Sequence, residues 1–576
     1  MKRIKLLFLL ILCIPASAQT QLGADIDGEA TSDRSGYSVS LSSDGNRMAI
    51  GAVNNSGAGT WAGHVRIYEY SAGSWMQLGA DIDGEASGDG SGWSVSLSSS
   101  GDTVAIGARE NDGGGTDAGN VRIYVYSAGS WTQLGSDIDG EAGDWSGWSV
   151  SLSSDGSRVA IGAPRNDSAG TYAGNVRVYE YSAGSWTQLG ADIIGEAAGD
   201  ESGRSVSLSS DGTIVAIAAP YNDGTANNAG HVRIYEYSTG SWTQLGVDID
   251  GDFSLDFSGY SVSLSSDGNR VAIGAIDNSG AGHVRIYEYS AGSWTQLGAD
   301  IDGEATGDKS GYSVSLSSDG TTVAIGAPYN DGNGAYSGHA RIYEYSAGSW
   351  TQLGLDIDGE ASDDQSGNAV SMSSDGSRVA IAAALNDGAG NSAGHVRVYS
   401  ICFDTIQQQP QSNTFYTVPG DAYFTVIHSD TTANYQWQED TGTGWSDLSD
   451  QGIYSGTATD SLILTGITAS LNGYEYRCLV DACSMDTTDL ATLTVVDNIG
   501  IGEVLTDVVV SPNPTSGILN IVVNSLSEYE VFNINGQRVA QGNTEGQIDI
   551  TNLPTGSYQI IITNDDGRST HTIQKI

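Results

Sequence analysis

The chain has 576 residues, 78 of them glycine against only 9 prolines, and carries a formal net charge of −47. That length exceeds what one core fills and predicts several domains, while a glycine-rich composition points to short strands joined by turns rather than to helices. So acidic a surface repels nucleic acid and anionic membranes, and neither is expected as a partner.

In chain order, Met1 to Lys5 is a basic segment, Leu6 to Ile14 an apolar one and Ala16-Ser-Ala18 a small-residue cleavage site. Residues 1–18 therefore read as a signal peptide, and the protein is expected to be exported. No later stretch reaches the roughly 18 apolar residues that span a bilayer, so the mature chain is predicted to lack a transmembrane segment.

Residues 19–402 are a repeat. A Gln-Leu-Gly phrase begins at Gln21, Gln77, Gln133, Gln188, Gln244, Gln296 and Gln352, at intervals of 52 to 56 residues. A fixed period of this size means one supersecondary unit repeated in space. Within the first copy, apolar residues alternate with small or polar ones over Ser38–Ser42, Arg47–Ala52, His64–Tyr70 and Trp75–Asp83, the period of strands. The Ser43-Asp-Gly45 turn joins the first two as a hairpin, and a longer loop, Asn54 to Gly63, precedes the third. Four strands in seven copies predict an all-β, seven-bladed β-propeller. The last copy ends after its third strand, His395 to Tyr399, whereas the N-terminus begins with an orphan fourth strand, Gln21 to Asp27. The N-terminal strand is thus expected to close the last blade and remove two open edges.

Asp256-Phe-Ser-Gly-Tyr-Ser-Val-Ser-Leu264, Val271-Ala-Ile-Gly-Ala275, Gly162-Ala-Pro164 and Gly326-Ala-Pro328 resemble FG-GAP repeats, the blades of integrin-type propellers. The resemblance implies calcium in a loop between the first two strands of a blade. Here that connection is a tight Ser-Ser-Asp-Gly turn, too short to wrap an ion needing 6 to 8 oxygens. A different acidic loop recurs between blades, with Asp25, Asp27 and Asp33 in one copy and Asp81, Asp83 and Asp89 in the next. Two readings stay open: calcium at some of these loops, or an Asp that accepts backbone hydrogen bonds in an Asx-type turn while the Gly of Asp-x-Ser-Gly supplies a conformation other residues avoid. Arg66 and its six counterparts are expected to pair with a repeat carboxylate between blades. His64, His231, His283, His339 and His395 fall one per blade, too far apart to share a zinc ion.

Where most positions repeat, those that vary are the candidates for binding. The residue after each Asp-x-Ser-Gly changes from Tyr37 to Trp93, Trp148, Arg204, Tyr260, Tyr312 and Asn368, and the loops between second and third strands carry Trp61, Tyr172 and Tyr336. Aromatics and an Arg at loop positions suit sugar stacking or protein anchoring, although packing between blades explains the first set equally well.

Residues 403–497 change character. Tyr435-Gln-Trp437, Leu462-Ile-Leu464 and Tyr476 two residues before Cys478 resemble an immunoglobulin-like sandwich with its tyrosine corner. The early-strand Cys is missing from Ala422 to Val426, so the usual inter-sheet disulfide has no partner. Among Cys402, Cys478 and Cys483, an exported chain favours a bridge, expected from Cys402 to Cys483 or Cys478. After a linker at 498–504, residues 505–576 read as a small C-terminal β-sandwich with turns at Asn535-Gly536 and Asp566-Gly567. This module resembles the C-terminal sorting domain of the type IX secretion system of Bacteroidetes. The likeness is carried by Ser-Pro512-Asn513-Pro514-Thr-Ser-Gly517, the turn at Gly536, Leu-Pro-Thr-Gly556-Ser-Tyr and Lys575 near the end. It implies export through that machinery to the cell surface or the extracellular space.

No nucleophile elbow, Ser/His/Asp grouping, metal-ligand spacing or phosphate loop appears. The expected function is therefore non-catalytic: a monomeric binding or adhesion protein whose propeller loops take a glycan or protein. The alternative is a secreted polysaccharide-degrading enzyme, a hydrolase or lyase with its site in the channel.

Overall fold

The structure is a computed structural model that describes residues 19–401, 406–415, 420–429, 433–482, 485–496, 508–523, 525–564 and 567–576. The leader, the 498–504 linker, Cys402, Cys483 and Asp566 lie outside the described residues. Contacts divide the chain into two compact units, one comprising the repeats up to residue 407 and the other the bulk of residues 408–576.

Seven antiparallel sheets form the first unit, each following the same path from an inner strand outward. In the first blade the strands are Ser35–Leu41, Arg47–Ala52, His64–Ser71 and Ser74–Gln77, with Ile82–Asp83 pairing again with the third strand. The outer strand is thus broken, not continuous from Trp75 to Asp83 as its alternation suggests. Gly79 sits at φ +81° where the break begins, a conformation that favours Gly. A Cβ on Gly79 would also lie 2.8 Å from the indole of Trp131 in the next blade.

That indole explains the Leu-Gly pair. Trp131 Nε1 donates to the Leu78 carbonyl at 2.7 Å, and Trp186, Trp242, Trp294 and Trp350 repeat the bond to Leu134, Leu189, Leu245 and Leu297. Each Trp staples its blade to the outer strand of the one before. The cores lie between blades as well. Ala49, Val65, Ile67 and Ile82 of one sheet, for example, pack against Val95, Leu97, Val104 and Ile106 of the next.

The ring closes as the orphan strand predicts. Thr20 and Gln21 pair with Ser400 and Tyr399, and Ile26 and Asp27 with Val396 and His395. Trp75 donates to the Leu22 carbonyl at 2.8 Å, while Gln19 Nε2 takes the place of a Trp by donating to the Leu353 carbonyl at 2.9 Å. At the centre, the Ser43 amide donates to the Ser99 carbonyl, and the pattern passes through Ser154, Ser210, Ser266 and Ser318 to Ser374, which returns to Ser43. Just beside it, one inner-strand amide per blade, from Leu97 to Met372, bonds a Ser hydroxyl of the neighbouring blade, with Leu41 to Ser371 completing the circle.

In the second unit, two sheets enclose Trp437, Tyr476 and Phe424, all fully buried. Phe424 packs on Tyr476 at 4.9 Å and on Trp437 at 6.4 Å, an aromatic contact where a disulfide is absent. Cys478 is buried and free, so a Cys402–Cys478 bridge is not formed. Its thiol is pushed up to about 12 by burial, as expected of an inert core cysteine.

Residues 508–576 form sheets of three and four strands around Leu519, Ile521, Val531, Ile548, Ile560 and Ile573. Gly536 turns the hairpin at φ +73°. Three distant motif segments meet at the last strand. Asn513 exchanges hydrogen bonds with Thr572 and Gln574, and the nearly buried Lys575 ammonium donates to the carbonyls of Thr551 and Leu553. Gly517 packs where a Cβ would lie 2.5 Å from Thr551, and the Tyr558 hydroxyl donates to Pro554, two residues before Gly556.

Two outcomes follow. Deleting residues 19–27 removes buried Ile26 and the closing pairs, and should cost about 3–6 kcal/mol by the burial of two aliphatic side chains, read as a large fall in propeller melting temperature. Acid stability depends on the turn carboxylates Asp44, Asp155, Asp211, Asp267, Asp319 and Asp375. Burial alone would raise each, but hydrogen bonds from the residue two positions on and from the Ser two positions back outweigh it and hold all six below the ordinary value of 3.8. A depressed carboxylate stabilises the fold fully above its unfolded value, so melting temperature should fall as pH drops from about 4 toward 2, with the loss reduced in Asp211→Asn.

Candidate functional site

The inner strand begins at one face of the ring, and the residue after Asp-x-Ser-Gly stands at that end of it in every blade, within the strand at Tyr37 and Tyr260 and just before it in the other five. The loop between second and third strands opens on the same face, as does the connection from one blade to the next. All the variable positions are therefore gathered on one side by topology alone.

Seven of them converge. Tyr37, Trp93, Trp148, Arg204, Tyr260, Tyr312 and Asn368 line one recess of about 370 Å³, together with Arg34, Gln365, Ala384 and Leu385. Neighbours touch around the arc: Tyr37 to Trp93 at 4.5 Å, Trp93 to Trp148 at 5.0 Å, and Tyr260 to Tyr312 at 4.9 Å between ring centroids. The Arg204 guanidinium bridges the gap, 4.8 Å from Trp148 and 5.4 Å from Tyr260. Asn368 closes the circle by donating to the Gly36 carbonyl at 3.1 Å and accepting from the Ala384 amide. No carboxylate lines the recess among the described residues.

The arc is backed by a second layer that repetition hides. Arg109 stacks over Trp93 at 3.3 Å and Arg165 over Trp145 at 3.1 Å, while Trp145 lies parallel to Trp148 at 5.4 Å. Arg165, Tyr221 and Tyr329 stand two residues after the Gly-Ala or Ala-Ala end of the second strand, and Arg109 stands one residue after it, where the other three blades have Pro. Variation at these two adjacent repeat positions was the signal that would have found them. The x of Asp-x-Ser-Gly varies too and is held at positive φ in all seven blades, between +52° and +62°.

Electrostatics make the recess a neutral-to-cationic spot on an acidic protein. Burial pushes the Tyr37 phenol up to about 12, and burial with the adjacent Tyr260 raises Tyr312 further. Burial would lower the Arg204 guanidinium, but Tyr221, Tyr260 and Glu201 outweigh it and the net shift is upward. Both phenols stay protonated and Arg204 stays charged, its Nη1 donating to Glu201 at 2.7 Å.

The loop aromatics divide. Tyr336 lies edge-on to Tyr329, itself edge-on to Tyr312, and Tyr172 lies 5.1 Å from Arg165, so both extend the arc outward. Trp61 is 60% exposed and makes no ring contact among the described residues.

The acidic candidates also divide. Asp33 and Asp89 are buried, accept from the amide three residues back, and accept the Asn55 and Asn111 side chains at 3.0 Å. Each thus ties its turn together by a bond running backward along the chain rather than to the amide two residues on, as an Asx-turn does. Asp27 and Asp83 lie on the outer strand opposite His395 and His64. Asp25 and Asp81 have one oxygen held by Gln21 and Gln77 at 2.6 Å. The Arg series pairs as expected, each Arg standing 2.6 to 3.9 Å from the Glu, or in blade five the Asp, of the preceding inter-blade connection. Arg66 Nη2 donates to the Asp27 carbonyl at 2.8 Å and stands 3.7 Å from Glu29, whereas close carboxylate pairs form at Arg177 and Arg285.

Comparison with known proteins places two parts of the chain. The FG-GAP repeat model matches residues 136–179 and 300–343, the copies that keep Gly-Ala-Pro intact. The secretion system C-terminal sorting domain model matches residues 509–576. No curated protein matches significantly. Among solved structures, the chain is similar to a candidate 6-phosphogluconolactonase of Bacteroides uniformis at 12% identity, covering 73% of this chain and all of that one, with a TM-score of 0.42. A counterpart from Bacteroides fragilis gives 14% identity over 56% of this chain and 84% of that one, at 0.39. The Ig1-2 module of the Drosophila receptor tyrosine phosphatase DLAR gives 16% over 30% of this chain and 97% of that one, at 0.15. Likeness of this order says nothing of what this chain binds. The chain is an FG-GAP propeller protein with a sorting domain that directs it through the type IX secretion system to the cell surface or beyond. No helix among the described residues is long and apolar enough to cross a membrane.

Proposed function

We propose that this exported protein is a non-catalytic binding protein whose propeller recess holds a glycan. One observation carries the reading. Seven positions that differ from blade to blade, while their neighbours repeat, meet around one recess as a nearly continuous belt of aromatic faces with a charged Arg204 among them. Aromatic faces stack on the apolar faces of sugar rings, and Arg donates to their hydroxyls or to carboxylate and sulfate substituents. A volume of about 370 Å³ lies at the small end of ligand sites, which suits one or two sugar residues of a longer chain.

A hydrolytic site needs a carboxylate pair, and a phenolic base needs a phenol with a lowered pKa. The recess is lined by neither a carboxylate nor, at Tyr37 and Tyr312, a phenol shifted in that direction. These features favour binding without turnover.

The test is a glycan array probed with the mature chain, followed by titration of the best binder. Trp93→Ala or Trp148→Ala should weaken binding by roughly 30-fold, the scale of an aromatic hot spot, with the circular dichroism of the sheets retained. Unchanged affinity in both variants would move the site elsewhere, and release of reducing ends or unsaturated sugars would favour a polysaccharide-degrading enzyme instead.

A further inference from the structure

His339 is 1% exposed, and its Nδ1 has no hydrogen-bond partner. It faces two carboxylate oxygens, Glu304 Oε2 at 3.9 Å and Asp356 Oδ2 at 3.8 Å. These separations are too long for hydrogen bonds. The other oxygen of each carboxylate is already engaged: Gln352 donates to Asp356 Oδ1 at 2.7 Å, and Arg341 stands 3.7 Å from Glu304 Oε1. Each acid is thus held from behind, with its free oxygen turned to the imidazole.

The same His, Asp and Glu meet in blades one, four and seven, where the unpartnered buried nitrogen is Nε2 at His64 and His395. His64, His231 and His395 each face an Asp oxygen at 3.7 to 3.8 Å and a Glu oxygen at 3.8 to 4.0 Å. In each of the four blades the three donor atoms lie within 4.8 Å of one another.

The other blades serve as internal controls. Where Asn175 replaces the His, the gap collapses: its Nδ2 and Arg177 Nε both donate to Asp192 Oδ2, at 3.1 and 2.9 Å, and Arg177 also reaches Glu141. Asn120 similarly turns its amide to Glu85. In blade five, where Asp252 stands in place of the Glu, Arg285 enters the space and binds Asp300 through both Nε and Nη2. Blade five still brings donor atoms of His283, Asp300 and Asp302 within 4.8 Å of one another, but Arg285 occupies both Asp300 oxygens; an opening with a free oxygen on each acid persists where both His and Glu are present.

We propose that blades one, four, six and seven each bind a divalent transition-metal ion of the zinc class, through the third-strand His, the Asp of the broken outer strand and the Glu of the preceding inter-blade connection. An imidazole with two carboxylates suits zinc, cobalt or nickel better than calcium, which takes 6 to 8 oxygens. Donors on a tetrahedral zinc, with bonds of about 2.0–2.2 Å, stand about 3.4 Å apart. The half-exposed Glu and Asp side chains need only a small inward movement to reach that spacing, and their exposure leaves a fourth position for water. Gln352 through a hydrogen bond and Arg341 through its charge supply the outer shell that orients such ligands. The His residues remain one per blade, as the sequence requires. Carboxylates, not a second His, complete each site.

The test uses the full mature chain, stripped with EDTA and titrated with Zn²⁺, and with Co²⁺ as a visible-absorption probe. Four equivalents should bind, and each of His64→Asn, His231→Asn, His339→Asn and His395→Asn should remove one. Asn already occupies this position in two sister blades, so these variants retain the fold, and metal-free melting curves check that they do. Asp356→Asn should remove the blade-six equivalent independently. Absence of saturable binding, a stoichiometry untouched by the single substitutions, or displacement of Co²⁺ by equimolar Ca²⁺ would each overturn the proposal.

Discussion

A circle of hydrogen bonds through Ser43, Ser99, Ser154, Ser210, Ser266, Ser318 and Ser374 sets the terms for the rest of this propeller. The inner strand of each blade is a sheet edge facing the axis, and its unpaired amides would each cost about 1–3 kcal/mol if left without partners. Here two such amides in each blade are given a neighbour's carbonyl or Ser hydroxyl, and the bonding returns to its starting residue only after seven blades. The Ser-rich inner strands, which look like low-complexity sequence, are the means by which seven edges satisfy one another. At the rim, the N-terminal strand and the Trp–Leu staples impose the same condition on the outside of the ring.

That closed geometry is also what creates the recess. In an open array, Tyr37 and Asn368 would lie at opposite ends. Closure brings them together, with Asn368 donating to the Gly36 carbonyl, so seven positions spread over more than 300 residues become one surface. The division of labour is sharp. Residues that repeat hold blades together, residues that vary gather at one mouth, and the partly repeated His positions mark blades with an opening among three donors.

How much of this was legible follows from what a period encodes. Contacts within a blade are local pairings, so strands, turns and the missing fourth strand read directly from alternation and phase. Tyr37 and its counterparts were legible because variation at a fixed position is itself a signal. Contacts between blades were not, because every copy carries the same residues and nothing in one copy says which neighbour it touches. The Trp131–Leu78 staple joins positions 53 residues apart. The blade-one His cluster joins Glu29, His64 and Asp81, which share no local motif and meet only when blades stack. The outer strand misled for a different reason. Leu78-Gly-Ala-Asp-Ile82 keeps strand-like alternation, but Gly79 at positive φ inserts a break that places Asp81 beside His64. In the immunoglobulin-like domain, the Trp and Tyr pattern correctly marked the core, while the absent cysteine was replaced by Phe424 packing that no spacing rule contains.

Ring closure is the claim on which both the recess and its seven-fold setting rest, and native-state hydrogen exchange on the intact mature chain tests it without any substitution. The amides of Leu22 and Gly28 donate to the carbonyls of Val398 and Gly394. Peptides covering residues 19–28 should therefore exchange slowly and in step with those covering 395–401. Immediate exchange of residues 19–28 while residues 395–401 stay protected would mean that the N-terminal strand is not part of the last blade, and would contradict the account.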